Sequence, residues 1–214
     1  MDEDIAIIDS NTRKEKFKNF FIQNRKIFIS IIILFIISVV IYFTFGEFKK
    51  KKKIEISDLY NSTIIEYSKQ NQKKTVSNLV NIIYEKDTTY SPLSLYFLID
   101  EDLLLDKTEM NELFEVVIND TPLEKEIKNL IIYKKGLFYA DEIDENGLLG
   151  ILNPLINSDS VWNSHALYLL AEYFYSKNEK EKSKEFFIKI IKLENANQDL
   201  KIEAQKRLSR DLSE

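Results

Sequence analysis

The chain has 214 residues, with 30 Lys or Arg, 35 Asp or Glu and a formal net charge of −5 at pH 7. It contains no cysteine, which excludes disulfides, thiolate nucleophiles and cysteine metal ligands. Its four glycines and three prolines are few for a β-sandwich or a doubly wound sheet, and they favour an all-helical protein.

The most apolar part of the chain is residues 27–45, which begin at Ile27, end at Phe45 and contain no charge, proline or glycine. At about 1.5 Å per helical residue they span about 28 Å, close to the hydrocarbon core of a bilayer. The stretch is longer than the apolar run of a removable signal peptide, and no small-residue cleavage motif follows it. We predict a permanent single transmembrane helix that crosses the lipid bilayer, the alternative being a buried helix of a soluble protein.

This helix divides the chain into a tail (1–26), the transmembrane helix (27–45), a basic juxtamembrane linker (46–53) and a helical domain (54–214). The tail holds six basic residues and the linker holds five lysines in a row, so the rule that places positive charge in the cytoplasm leaves the orientation open. Residues 54–214 hold 19 basic and 29 acidic residues. We expect no nucleic-acid partner, because nucleic-acid affinity depends largely on neutralising phosphates.

From residue 54 onward, apolar residues recur every three or four positions, as in amphipathic helices, and no strand alternation occurs. Capping-box spacing marks two helix starts, Asp106 with Glu109 and Thr121 with Glu124, the latter beside Pro122. The pattern predicts an all-α domain, with helices paired antiparallel through short polar turns. The nine predicted helices lie near 56–67, 76–83, 91–103, 106–117, 121–139, 148–156, 161–177, 179–193 and 200–212.

Residues 165–195 fit the tetratricopeptide pattern, in which two helices cross at small or apolar residues. Asn178 with Glu181 gives capping-box spacing for the second helix, residues 56–88 fit more loosely, and residues 92–120 fit worst. Ser183 stands where alanine is usual, so the repeat is degenerate. We predict a tetratricopeptide-like α–α hairpin solenoid. The predicted packing positions are Leu167, Leu170, Ala171, Phe174, Ser183, Phe187 and Ile190.

The most specific part of the layout is a set of residues in the C-terminal half, with Tyr90 to Leu93 as an early junction: Leu152-Asn153-Pro154-Leu155, Trp162, Ala166, Leu169, Leu170, Ala171 and Phe187. With these residues, the order of tail, single span and degenerate helical repeats resembles the YfgM-like family, which includes the ancillary subunit of the bacterial Sec translocon. Many alanine positions of that family are Ile, Ser or Asn here. The resemblance implies a single-pass protein of the inner (plasma) membrane, with a cytoplasmic N-terminus and a periplasmic C-terminal domain. It also implies protein partners, namely translocon subunits and a membrane-anchored periplasmic chaperone.

In this repeat register, four side chains fall on the helix face that lines the concave surface of a repeat array, where such arrays bind partners. We predict a partner-binding groove formed by His165, Tyr168, Glu172 and Tyr175. One alternative is that Tyr168 and Tyr175 pack on the preceding helix. Another is that His165, the only histidine, is a surface or packing residue.

No motif indicates an enzyme, and we expect no catalytic residue, metal, cofactor or small-molecule substrate. The acidic stretch 141–147 ends in Gly147, but that glycine lies one place too late for a calcium loop and no glutamate follows at the twelfth position. No phosphate-binding glycine loop, zinc spacing or nucleophile elbow occurs. We expect a membrane-tethered protein-interaction module. The alternative is a scaffold for an envelope or division complex, including one with a cytoplasmic helical domain.

Overall fold

The structure, a computed structural model, describes residues 16, 18–20, 22–104 and 106–212. Within these residues the chain is helical and has no strand, which confirms the predicted all-α class. Most of the predicted tail, residues 1–15, 17 and 21, lies outside the described residues. The chain divides into two compact units, Met1–Glu55 and Ile56–Glu214.

Helix α1, Arg25–Ile65, has 41 residues and a length of roughly 62 Å. Among the described residues it is the one helix that is long and apolar enough to cross a membrane. Residues 46–53, for which we predicted a linker, are helical and belong to α1. Lysine is a good helix former, and the single Gly46 costs only about 1 kcal/mol, so the helix continues without a break.

Eight further α-helices follow α1 in the described residues, and they alternate between two series with the same spacing. The first helices of successive pairs begin at Tyr90, Lys125, Asn163 and Gln198, and the second helices at Gln72, Lys107, Glu145 and Lys180, so each series advances by 35, 38 and 35 residues. The helices are α2 (Gln72–Tyr84), α3 (Tyr90–Asp100), α4 (Lys107–Glu115), α5 (Lys125–Tyr139), α6 (Glu145–Ile156), α7 (Asn163–Ser176), α8 (Lys180–Lys192) and α9 (Gln198–Arg210).

Side-chain hydrogen bonds connect residues that are about one such interval apart. Tyr90 Oη donates to Ser57 Oγ at 2.7 Å, Lys125 Nζ donates to Asp159 Oδ1 at 2.6 Å, and Arg207 donates to Glu172. In the C-terminal half, α7 packs on α6 and α5, and α9 packs on α8 and α7. Each helix is therefore stabilised mainly by its near neighbours along the chain.

The helix ends correct two sequence predictions and confirm one. Asp106 caps α4 as predicted, accepting hydrogen bonds from the backbone N–H groups of Thr108 and Glu109. The predicted start at Thr121 is wrong, because the Thr121 N–H bonds to Val116 O at 3.1 Å and closes a π-helical turn at Val116–Asp120. The Thr121 hydroxyl donates to the same oxygen, and α5 begins at Lys125.

The capping box predicted at Asn178 is also wrong, because Asn178 ends α7. Its φ is 61°, its N–H bonds to Tyr175 O at 3.0 Å, and the next N–H bonds back to Phe174 O at 2.9 Å. These two bonds form a Schellman motif, and asparagine tolerates the left-handed conformation that the motif requires. A residue that closes one helix in this way has no side-chain role at the start of the next.

The seven packing positions predicted for the helix pair at 165–195 are all buried, with exposed fractions of 5% or less. Small side chains allow close approach of neighbouring helices in this half of the molecule. At Gly136 in α5, a Cβ atom would lie 2.6 Å from Cδ2 and 3.2 Å from Cγ of Leu152, which is fully buried in α6. A Cβ atom at residue 136 would therefore force the Leu152 side chain to move.

We expect Gly136→Ala to lower the free energy of unfolding by about 1 kcal/mol, because the clash with Leu152 outweighs the better helix propensity of alanine. The matched control is Gly150→Ala in α6, where no atom lies within 4 Å of the added Cβ. This control is expected to raise the free energy of unfolding by up to about 1 kcal/mol. Urea unfolding followed by circular dichroism measures both, and equal effects at the two glycines would contradict the close-approach explanation.

We expect Ser183→Ala to raise the free energy of unfolding by about 1 kcal/mol. Its hydroxyl is fully buried in α8 and finds no hydrogen-bond partner in the described part of the chain. Ser91 is the matched control, since it is equally buried but donates to Ile82 O at 3.0 Å. Ser91→Ala is expected to lower stability by about 1 kcal/mol. Destabilisation by both variants would show that Ser183 has a partner after all.

Candidate partner-binding surface

The four residues of the predicted groove all lie on α7 and are all half-buried, but the structure does not bring them into one open groove. His165 lies in the first turn of the helix beside a shallow depression. The other three, Tyr168, Glu172 and Tyr175, contact the two helices that follow, α8 and α9. The surface therefore has an open part and a covered part.

The open part is a depression of about 270 Å³ between the start of α7 and the connection from α8 to α9. The His165 ring packs against the Trp162 and Tyr133 rings, with centroid distances of 5.0 and 5.8 Å. Val161 on its rim is 61% exposed. The remaining lining residues are Asn195 and Asn197. The depression thus combines apolar and aromatic surface with neutral amides and carries no net charge.

The covered part is occupied by Arg207 of α9. Its Nε and Nη2 donate to the two carboxylate oxygens of Glu172 at 2.8 and 2.7 Å, and its guanidinium lies 4.2 Å from the ring centroid of Tyr175. The Tyr168 ring packs edge-on against Phe187 of α8, with centroids 5.6 Å apart. Tyr168 and Tyr175 thus contact the helices that follow α7, and this face of α7 is an intramolecular interface.

The electrostatics of the covered part follow from this packing. Burial, assisted by the neighbouring carboxylate of Glu172, raises the pKa of the Tyr168 phenol to about 12. Hydrogen bonds from Arg210 and then from Arg207 hold the pKa of Asp211 at about 2, below its usual range. The Tyr168 phenol is therefore neutral and the Asp211 carboxylate charged near pH 7.

Sequence reasoning missed the residues that define both parts of the surface. Arg207 lies 35 residues after Glu172, and the same interval recurs elsewhere in the chain, so a search for opposite charges at that spacing would have found the pair. Trp162 packs at the start of this helix by stacking on Tyr133, with centroids 5.7 Å apart. Val161 gives no sequence signal, because an exposed valine cannot be recognised from its neighbours.

We expect Arg207→Gln to lower the free energy of unfolding by about 2 kcal/mol and to increase hydrogen exchange in α9, since it removes a bidentate ion pair and a cation–π contact. Lys206→Gln is the matched control: it removes the same charge from the same helix, but the Lys206 side chain is 63% exposed whereas that of Arg207 is 12% exposed. The control is expected to cost about 0.5 kcal/mol or less. Similar losses in both variants would show that Arg207 does not hold α9 in place.

Within the described residues, no group of three or more histidine, aspartate or glutamate side chains could hold a metal ion. The acidic residues at 141–147 instead form a turn in which Asp144 caps α6 by accepting from Gly147 N–H at 2.9 Å. A scan against protein-family models and searches of curated proteins and of solved structures found no match to this chain. The resemblance to YfgM-like proteins therefore stays a prediction that rests on the residues quoted above.

Proposed function

We propose that this protein is a non-enzymatic, membrane-tethered module that binds other proteins. The observation that carries the proposal is the combination of a helix able to cross a bilayer with helix pairs that recur every 35 to 38 residues. Arrays of this kind expose long surfaces whose main chemistry is recognition of protein segments. Tethering to a membrane raises the effective concentration of nearby partners, so a modest affinity suffices.

We further propose that the helix pairs form a tetratricopeptide-like solenoid. The interval between pairs is close to the 34 residues of that repeat. Two features of the packing support the proposal: contacts from α5 onward join each helix to its near neighbours along the chain, and the positions expected at the α7–α8 crossing are buried. In this scheme α9 takes the position of the first helix of the pair that follows α7 and α8.

The depression beside His165 is the proposed contact site for a partner. It adjoins an exposed valine and two aromatic rings, and it offers amide groups but no charge. Such a surface suits an apolar side chain of an extended or helical segment. The Asn195 amide can bond the backbone of that segment, whereas Asn197 Oδ1 already accepts from the N–H groups of Asp199 and Leu200 at the start of α9. The face around Tyr168, Glu172 and Tyr175 remains a second proposed site, which a partner reaches only if α9 moves away.

The location and partners follow from the resemblance alone. We propose a periplasmic helical domain on the inner membrane, acting with Sec translocon subunits and a membrane-anchored periplasmic chaperone. A second candidate is a scaffold for an envelope or division complex, which includes the case of a cytoplasmic helical domain. The similar numbers of basic residues on the two sides of the apolar stretch support this second candidate as well as the first.

The test is photocrosslinking in spheroplasts that express the full chain with a C-terminal tag. A photoreactive amino acid replaces Val161, and the matched control position is Tyr84 on α2, which is 48% exposed and far along the chain from the depression. We expect protein adducts from position 161 and few from position 84. External protease is added to the same cells, and we expect it to remove the tag and the helical domain.

Each outcome separates the candidates. Adducts with translocon or chaperone subunits, together with digestion from outside, support the first candidate. Protection of the tagged domain while a periplasmic control protein is digested excludes the periplasmic location and the translocon role derived from it. Equal adduct yields at the two positions, or none at either, contradict the depression as the contact site.

A further inference from the structure

A run of five lysines, residues 49–53, follows the apolar stretch of α1, and all five are exposed. We propose that these lysines, here called the lysine collar, bind the headgroups of anionic phospholipids. The proposal rests on the membrane anchoring proposed above, but it adds a ligand of defined chemistry at a site on the chain outside the repeat domain. The structural basis is that the collar is helical and continuous with the apolar stretch.

Because the collar is helical, its side chains point in every direction around the α1 axis. Successive residues in an α-helix are rotated by about 100°, so five in a row cover the full circle. The only acidic residues close to the collar in sequence are Glu47 and Glu55. Flexible chain at these positions would leave the directions of the ammonium groups undefined, whereas the helix fixes them as a closed ring of positive charge.

The depth of the collar matches the headgroup layer. At about 1.5 Å per residue, Lys49 lies about 6 Å and Lys53 about 12 Å beyond Phe45 along the helix axis. The headgroup region extends roughly 5 to 7 Å beyond the hydrocarbon core on each side. Lysine stems can lie along apolar surface and direct their charge to the interface, and Lys49 Nζ already lies 4.7 Å from the ring centroid of Phe45. All five ammonium groups can therefore reach the phosphate level.

The ring geometry favours lipid over a protein ligand. A protein partner approaches a helix from one side and would engage only the lysines on that side. Lipids surround a membrane-spanning helix on every side, so anionic headgroups can neutralise the whole ring at once. At the other end of the apolar stretch only Arg25 and Lys26 lie in α1, and together they cover part of the circle. The other four basic residues of the tail precede α1 and are not consecutive with these two: Arg13, Lys14, Lys16 and Lys18. Selectivity is therefore assigned to the collar.

The experiment uses the full chain reconstituted into phosphatidylcholine vesicles that contain spin-labelled phosphatidylglycerol or spin-labelled phosphatidylcholine. Electron paramagnetic resonance measures the fraction of each probe that is immobilised at the protein, and the ratio gives the lipid selectivity. We expect the wild-type chain to select phosphatidylglycerol about threefold in low salt, and we expect 1 M NaCl to bring that ratio close to one.

Three variants locate the effect. Replacement of all five collar lysines by Gln is expected to abolish the selectivity, whereas replacement by Arg is expected to keep it. The matched control changes five lysines outside the collar to Gln and so gives the same change in net charge. It is expected to keep the wild-type ratio. The control positions are Lys128, Lys180, Lys184, Lys192 and Lys201.

Selectivity that survives in the collar Gln variant, or that falls equally in the control variant, overturns the proposal. Selectivity that persists in 1 M NaCl overturns it as well, because the contact would not be ionic. Extraction with alkaline carbonate is done in parallel. If the wild-type chain is extracted, the membrane anchor and the collar both fail. If it stays embedded but shows no lipid selectivity, the collar alone fails.

Discussion

The close contact between α7 and α8 is the interaction on which the helical domain depends. Small buried side chains, Ala171 on α7 and Ser183 on α8, let the two helices approach, and the large rings of Phe174 and Phe187 are buried with them. Full burial of one such ring contributes about 1.5 to 3 kcal/mol. The helices α5 and α6 pack on α7, and α9 packs on both α7 and α8. The pair is therefore the common surface against which the C-terminal half is built.

The fold was largely predictable because its main signal is local. In the described residues, apolar spacing of three and four identified the eight α-helices that follow α1, and Asp106 identified a real cap. The separate helix predicted at 56–67 is wrong, because α1 continues without a break to Ile65. The errors have a common physical cause, which is that one residue type serves two purposes. Asparagine and threonine are both common at helix starts, but here Asn178 and Thr121 each close the turn that precedes a helix. The charge of the lysines at 49–53 suggested a linker, but lysine also has a high helix propensity, and these residues are helical.

The candidate site was less predictable, because a helix face is recognised from spacing but its covering is not. His165, Tyr168, Glu172 and Tyr175 do share one helix, as the repeat register required. Whether that face is open depends on α9. Few residues of this helix are buried, and it is held in place mainly by Ala204 and by the ion pair of Arg207 with Glu172. This helix contributes a salt bridge from Arg207 to Glu172, 35 residues away, and a cation–π contact from Arg207 to Tyr175, 32 residues away. Periodicity within one helix carries no information about such contacts.

Side-chain contacts recur at intervals of about 35 residues, and this spacing affects how the chain folds. Contacts between segments that are close in sequence cost little loop-closure entropy, so such domains fold fast and can begin folding at more than one point. The α7–α8 pair, with the best-packed small side chains, is the natural nucleus. Structure would then grow outward one helix at a time, and the polar α9 would join late and fray first on heating. A chain of this kind loses its order from the ends and not in a single step.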